Sequence, residues 1–324
     1  MKHRLRRGAL AAIVAPTLAV GLGACGSNND KSSGGSGAAT TAAAAAAPAA
    51  QPGKGKPAVV LGTKDFTEEF VLGELYKQAL EAKGYTVNLK KNIGSTEIID
   101  KALTSNQIDA YPEYVGVSLA TVAGKDIKAT SAKQTYDLAK QFYEGRGQTL
   151  SAATPFADVD AVATKKAFAT QHNLKSVADL KGAGTVKIAG GPEFKSRYQG
   201  LRGLQSQYGL NNLKFKQVAQ GVQYQALDSG AAQASNVFST DAQLASGKYT
   251  VLTDPKGIFG YQNVALVIDK AKLAKLGGQQ FLDVVDGVSK LLTNDAMIAM
   301  NKAVATDKQD EASVAAAFLK ANGG

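Results

Sequence analysis

Short β-branched runs alternating with amphipathic helical periods, from Pro57 to the end of the chain, leave few architectures open to it. Ala58–Gly62 reads as a buried strand, and 67–83 as a helix with Phe70, Val71, Leu75, Ala79 and Leu80 on one face. Thr67, Glu68 and Glu69 suit its start, because first-turn carboxylates complement the helix dipole. Tyr85–Lys90 is a second strand, Thr96–Ser105 a second helix, and Ala110–Tyr111 a third, short strand. Strand, helix, strand, helix, strand implies a parallel sheet with right-handed crossovers.

The same grammar restarts after Thr154-Pro155-Phe156. Strands are predicted over Asp160–Thr164, Val186–Gly191, Phe215–Val218 and Ala234–Phe238. Helical segments are predicted over Val177–Leu180, Lys195–Tyr208 and Val222–Ser229. After Gly260-Tyr261, Asn263–Ile268 reads as a returning strand followed by amphipathic helices. The chain therefore goes out to a second lobe and comes back. About 270 residues suffice for two α/β lobes, 57–157 with 262–324 and 158–261, hinged by crossings near Phe156 and Tyr261.

Residues 1–24 read as a signal peptide: Lys2, Arg4, Arg6 and Arg7 precede an apolar run, Gly8–Gly23, too short to span a bilayer comfortably. Cys25, the only cysteine, follows Leu22-Gly23-Ala24 and resembles the lipidated cysteine of a bacterial lipobox. The alternative is an ordinary signal peptide with an incidental cysteine. Residues 26–56 are Gly, Ser, Ala and Pro with almost no large apolar side chain, which predicts a disordered tether from the lipid anchor. The expected location is the outer face of the cell membrane.

Several chemistries are disfavoured. Without the four leader cations the chain carries 33 basic against 27 acidic residues, a dispersed charge that does not favour nucleic acid. The histidines are His3 and His172 only, so a histidine triad or zinc site is not expected, and there is no Walker-type phosphate loop. No cofactor, metal or catalytic residue is predicted. Gly190-Gly191-Pro192-Glu193 reads as the turn that sets up the helix carrying Arg197. Ile108–Ser118, with Tyr111, Pro112, Glu113 and Tyr114, reads as a rigid turn displaying aromatic faces of the kind that attract organic cations.

Four stretches carry a resemblance: Gly62-Thr63-Lys64-Asp65-Phe66-Thr67-Glu68-Glu69, Gly94-Ser95-Thr96-Glu97-Ile98-Ile99, Asp109-Ala110-Tyr111-Pro112-Glu113-Tyr114-Val115-Gly116 and Phe238-Ser239-Thr240-Asp241. In this order they resemble the substrate-binding proteins of osmoprotectant ABC importers, the glycine betaine, carnitine and choline group. The resemblance implies a type II periplasmic-binding-protein fold, two lobes joined by a two-strand hinge. It further implies a receptor, not an enzyme, that delivers a small cationic or zwitterionic solute to membrane permease subunits, as a monomer.

Residue by residue, the resemblance puts Lys64 and Arg197 at the ligand's acid group and Tyr114 and Tyr261 in an aromatic cage for a quaternary ammonium. Phe238 stands where the family often has Tyr, Asp160 where it has a cage aromatic, Glu69 where Gln is common and Val117 where Thr is common. Two readings stay open: Asp160 and Glu69 face the ligand and favour a more cationic, N–H-bearing molecule, or they pair with Lys64 or Arg197 outside the contact shell. A different cationic, amino-acid-like ligand, or an enzyme on the same scaffold, is the alternative function; the scarcity of His and Cys argues against the enzyme.

Overall fold

The structure is a computed structural model that describes residues 50–124 and 130–323. The predicted leader, Cys25 and most of the predicted tether lie outside the described residues. The end of that tether does not match the expectation. Gln51–Lys56 forms a turn in which the Gly53 N–H donates to the Lys83 carbonyl at 3.0 Å, and a side chain at Gly53 would collide with the Tyr85 backbone. Lack of apolar side chains does not prevent order when backbone packs on backbone.

Ten strands make two five-stranded sheets. They are β1 (Val59–Gly62), β2 (Val87–Lys90), β3 (Ala110–Tyr114), β4 (Gln148–Leu150), β5 (Asp160–Lys165), β6 (Val186–Gly190), β7 (Leu213–Gln217), β8 (Ala234–Phe238), β9 (Tyr249–Leu252) and β10 (Val264–Asp269). The first sheet runs β2-β1-β3-β10-β4 and the second β7-β6-β8-β5-β9. The chain thus leaves the first sheet after β4 and re-enters it at β10, in the α/β class and two-lobed type II architecture.

The β1, β2 and β3 pairings are parallel, with helices α1 (Thr67–Ala82) and α2 (Thr96–Thr104) as crossovers. The sheets are nevertheless mixed. β10 is antiparallel to β3 and β4, and β5 is antiparallel to β8 and β9. These are the strands that enter and leave each lobe, so their direction is set by the chain's return and not by a βαβ unit.

Tyr111-Pro112-Glu113-Tyr114 is not a turn. It forms the body of the fully buried strand β3, which runs straight into helix α3 (Val115–Thr121). The Val115 N–H donates to the Asn263 carbonyl, so odd-numbered residues face β10 and the Pro112 nitrogen faces β1. Pairing with β1 involves only Ala110, so the proline removes no ladder bond there.

The first sheet is covered on one side by α1 and the C-terminal helices, with Leu72, Tyr76, Phe281 and Met297 in the core. On the other side lie α2, α3 and α4 (Ala132–Glu144), with Ile99, Tyr111 and Tyr143. In the second lobe, Leu180, Ile188, Leu204 and Leu252 fill the main core. The helix expected over 195–208 is broken. Arg197 is extended, Gln199 and Gly200 are non-helical, and the helix resumes at Gly203. A Cβ at Gly200 would sit 2.2 Å from the Phe194 carbonyl oxygen, so that close approach depends on glycine.

Candidate functional site

The two inter-lobe crossings run side by side. Ala157 bridges Asn263 in antiparallel fashion, and the Asp158 N–H donates to the Gln262 carbonyl at 3.2 Å. Gln262 is fully buried, accepts from the Val117 N–H at 2.9 Å and donates to the Phe259 carbonyl at 2.9 Å, tying α3 to the end of the second lobe. Gly116 allows this contact, because a Cβ there would meet the Tyr261 carbonyl at 2.4 Å.

Next to the hinge lies a cavity of about 340 Å³, walled from both lobes. That is within the range of small-molecule sites. Phe66, Tyr114, Phe194 and Phe238 supply aromatic surface, and Asp65, Asp158, Asp160 and Glu193 supply carboxylates. Lys64 and Arg197 also reach the wall. Phe66 caps α1 in an extended conformation, and its ring lies 5.9 Å from that of Tyr114, tilted by 32°.

Of the residues predicted from sequence, Lys64, Tyr114, Asp160, Arg197 and Phe238 line this cavity and Glu69 and Tyr261 do not. Tyr261 is 39% exposed and donates its hydroxyl to the Thr130 carbonyl at 3.0 Å. Its neighbour Gln262 takes the buried side of the crossing, and alternation along extended chain turns Tyr261 outward. Glu69 is buried beneath the cavity. Its carboxylate accepts from the Lys64 N–H at 3.1 Å and from the Lys64 ammonium at 3.2 Å.

The Lys64 ammonium also meets Glu113 at 2.9 Å and the Pro112 carbonyl at 3.0 Å, and lies 4.6 Å from the centre of the Tyr114 ring. Two of its N–H donors are taken by Glu69 and the Pro112 carbonyl, and Glu113 pairs with its charge. Lys64 thus ties the floor of the cavity together while it also lines the wall. Burial pushes the Glu69 carboxyl up to about 7, against the opposing pull of Lys64.

Glu68 is the other first-turn acid of α1, and it too faces inward and not the helix end. It accepts from the hydroxyls of Thr240 at 2.6 Å and Tyr114 at 2.7 Å, and from the Asn301 amide at 2.7 Å. Thr240 belongs to the second lobe, so this carboxyl joins the lobes. Burial raises Glu68 above the usual carboxylate range, partly offset by those three hydrogen bonds. Asp158 is held well above its ordinary value by burial, then by the charges of Glu68 and Asp241.

Asp160 accepts from the Asn236 amide at 2.8 Å. Burial raises it to about 6, while that bond and the Arg197 charge pull it down. Arg197 reaches across the cleft to Glu97 of α2, with Nη2 2.9 Å from Oε2 and Nε 3.4 Å from Oε1. Burial raises Glu97, but the charge and hydrogen bonds of Arg197 outweigh it and leave the carboxyl below its usual value.

Sequence reasoning missed Phe66, Asn236, Gln199 and Gln220 as wall residues. For Phe66 a signal existed: an aromatic side chain immediately before a helix start, two residues after Lys64. Gln199 had none, because it enters the wall only through the break at Gly200. Among the described residues no group of three or more His, Cys, Asp or Glu side chains could hold a metal ion, and no helix is long and apolar enough to cross a membrane.

Comparison with known proteins gives a consistent set of relatives. A family profile described as the substrate binding domain of ABC-type glycine betaine transport systems matches residues 57–321. A glycine-betaine-binding protein of Pseudomonas aeruginosa is 30% identical over 272 residues, spanning 80% of this chain and 86% of that protein. An ergothioneine transport permease/ergothioneine binding protein of Helicobacter pylori is 26% identical, spanning 82% of this chain and 47% of that longer protein. A solved structure described as a glycine betaine/carnitine/choline ABC transporter shares the fold, with TM-score 0.67 at 20% identity over 82% of this chain and 98% of that one.

Proposed function

The chain belongs to the family of substrate-binding domains of ABC-type glycine betaine transport systems, and from that premise we propose how its cleft takes a ligand. The quaternary ammonium of a betaine sits against Phe66, Tyr114 and Phe238, whose ring faces replace water around a cation that cannot donate a strong hydrogen bond. Arg197 takes the carboxylate through its guanidinium fork. Walls from both lobes make closure and binding one event, because each lobe gains contacts only when both meet the same solute. The receptor then hands the solute to its permease. The mature protein is held outside the cell by a lipid on Cys25, acts as a monomer and performs no catalysis.

The observation that carries this reading is one cavity where aromatic rings, carboxylates and a guanidinium from distant parts of the chain converge. A second reading is favoured by the acids. Asp65, Asp158, Asp160 and Glu193 on the wall suit a betaine that carries additional N–H donors, and one relative is named for ergothioneine, a betaine with an imidazole-thione ring. Here Asp160 accepts from the ring N–H.

A thermal-shift panel of glycine betaine, choline, carnitine, ergothioneine and a basic amino acid tests both readings. A ligand present at one hundred times its Kd adds about 2.7 kcal/mol. For a domain of this size that is a rise in Tm of roughly 5–11 °C. A rise with glycine betaine or ergothioneine supports the first or second reading respectively; no rise with any quaternary ammonium compound overturns both.

A further inference from the structure

Arg197 and Glu97 belong to different lobes and meet at the rim of the cavity. The guanidinium presents its Nε and Nη2 edge to the Glu97 carboxylate, the side-by-side geometry in which arginine takes a ligand carboxylate. Arg197 lines the cavity and Glu97 does not, so the glutamate approaches its partner from outside. The Glu97 side chain is 41% exposed against 18% for Arg197. A carboxylate so placed can swing into water at little cost, whereas the guanidinium stays in the wall.

Glu97 is also aimed by its neighbour. Ser95 is the residue before α2, where a hydroxyl ordinarily caps the helix. It makes no such cap and instead donates to Glu97 Oε2 at 2.7 Å. A helix cap worth keeping has been given up to hold this carboxylate against the arginine. Ser95 itself lines the cavity.

We propose that Glu97 is a built-in competitor for the ligand's acid group, a specificity-determining residue that occupies Arg197 across the cleft until a carboxylated ligand displaces it. The inference rests on the reading of Arg197 as the carboxylate-binding residue. Its consequence concerns selectivity. A ligand with a carboxylate must pay for separating the pair, and a quaternary ammonium compound without one, such as choline, leaves the pair intact. Glu97 therefore narrows the preference for betaines over choline-like cations, and it demands a real carboxylate before the arginine is released.

The test is isothermal titration of the wild-type protein and Glu97→Gln with glycine betaine and with choline, repeated in an Arg197→Met background. Glu97→Gln keeps the shape of the side chain and removes its charge. Half-exposed ion pairs of this kind contribute at most about 1 kcal/mol, or about fivefold in affinity. Glycine betaine is therefore expected to bind Glu97→Gln about fivefold more tightly than wild type, with choline changing less than twofold. The gain should vanish in the Arg197→Met background. Betaine affinity that is unchanged or weakened, or a parallel shift for both ligands, overturns the inference while leaving the receptor reading in place. If the wild-type protein takes up neither compound, the glycine betaine reading fails and the competitor role falls with it.

Discussion

Replacing Lys64 by methionine separates a structural role for this residue from a ligand-contacting one. The substitution keeps the length of the side chain and removes the cation that pairs with two buried carboxylates, Glu69 and Glu113. A buried carboxylate that loses its partner takes up a proton in preference to staying charged. Breaking a buried pair by removing one partner costs roughly 3–5 kcal/mol. Glu69, which burial already pushes up to about 7, loses the cation that opposes that rise.

At about 2–4 °C per kcal/mol, the Tm of Lys64→Met should fall by roughly 6–20 °C at pH 7. The sign of the pH dependence follows. An acid whose folded value is raised above its unfolded value destabilises the fold above the unfolded value and not below it. The gap between wild type and Lys64→Met should therefore narrow steadily as pH falls from 7 to 5. Circular dichroism melts across that range provide the check. A Tm within 2 °C of wild type at pH 7, together with a large loss of betaine affinity, would refute the assignment of Lys64 to the floor of the site.

Other outcomes follow from the same geometry. Phe66→Ala should weaken quaternary-ammonium binding by roughly 2- to 30-fold, the range of one cation–π contact, whereas Tyr261→Ala, whose side chain is not part of the cavity wall, should change Kd by less than twofold in the same calorimeter. Because Asp160 is raised to about 6, its charge is present above that pH and lost below it. Affinity for a cationic ligand should accordingly fall between pH 7 and 5, and Asp160→Asn should flatten the profile; an unchanged slope in the variant counts against Asp160 as a ligand group. Gly116→Ala places a methyl 2.4 Å from the Tyr261 carbonyl and should lower stability by roughly 1–3 kcal/mol in urea melts.

Much of the architecture was legible because local patterns carry it. The alternation of β-branched runs and helical periods located α1, α2 and most strands to within a residue or two, and Gly260-Tyr261 marked the return crossing. What was not legible depended on contacts distant in sequence. The break at Gly200 follows from packing against the Phe194 carbonyl. Tyr111-Pro112-Glu113-Tyr114 looks like a turn until the β10 partner and the short β1 pairing are known. At the site, the family resemblance pointed to five wall residues, but proximity to the hinge could not tell which way Tyr261 points. The sequence offered Glu69 as a partner of Lys64, and that pair forms, but it did not offer Glu113 or Glu97, which reach Lys64 and Arg197 from other elements.

The central claim is that aromatic faces and a guanidinium from two lobes grip one betaine-type solute. Calorimetric titration of glycine betaine into the wild-type protein and into Tyr114→Ala tests it most directly. The account predicts saturable one-to-one binding by the wild type and at least a tenfold rise in Kd for the variant. Binding of equal strength by both proteins, or no saturable heat from the wild type, would contradict it.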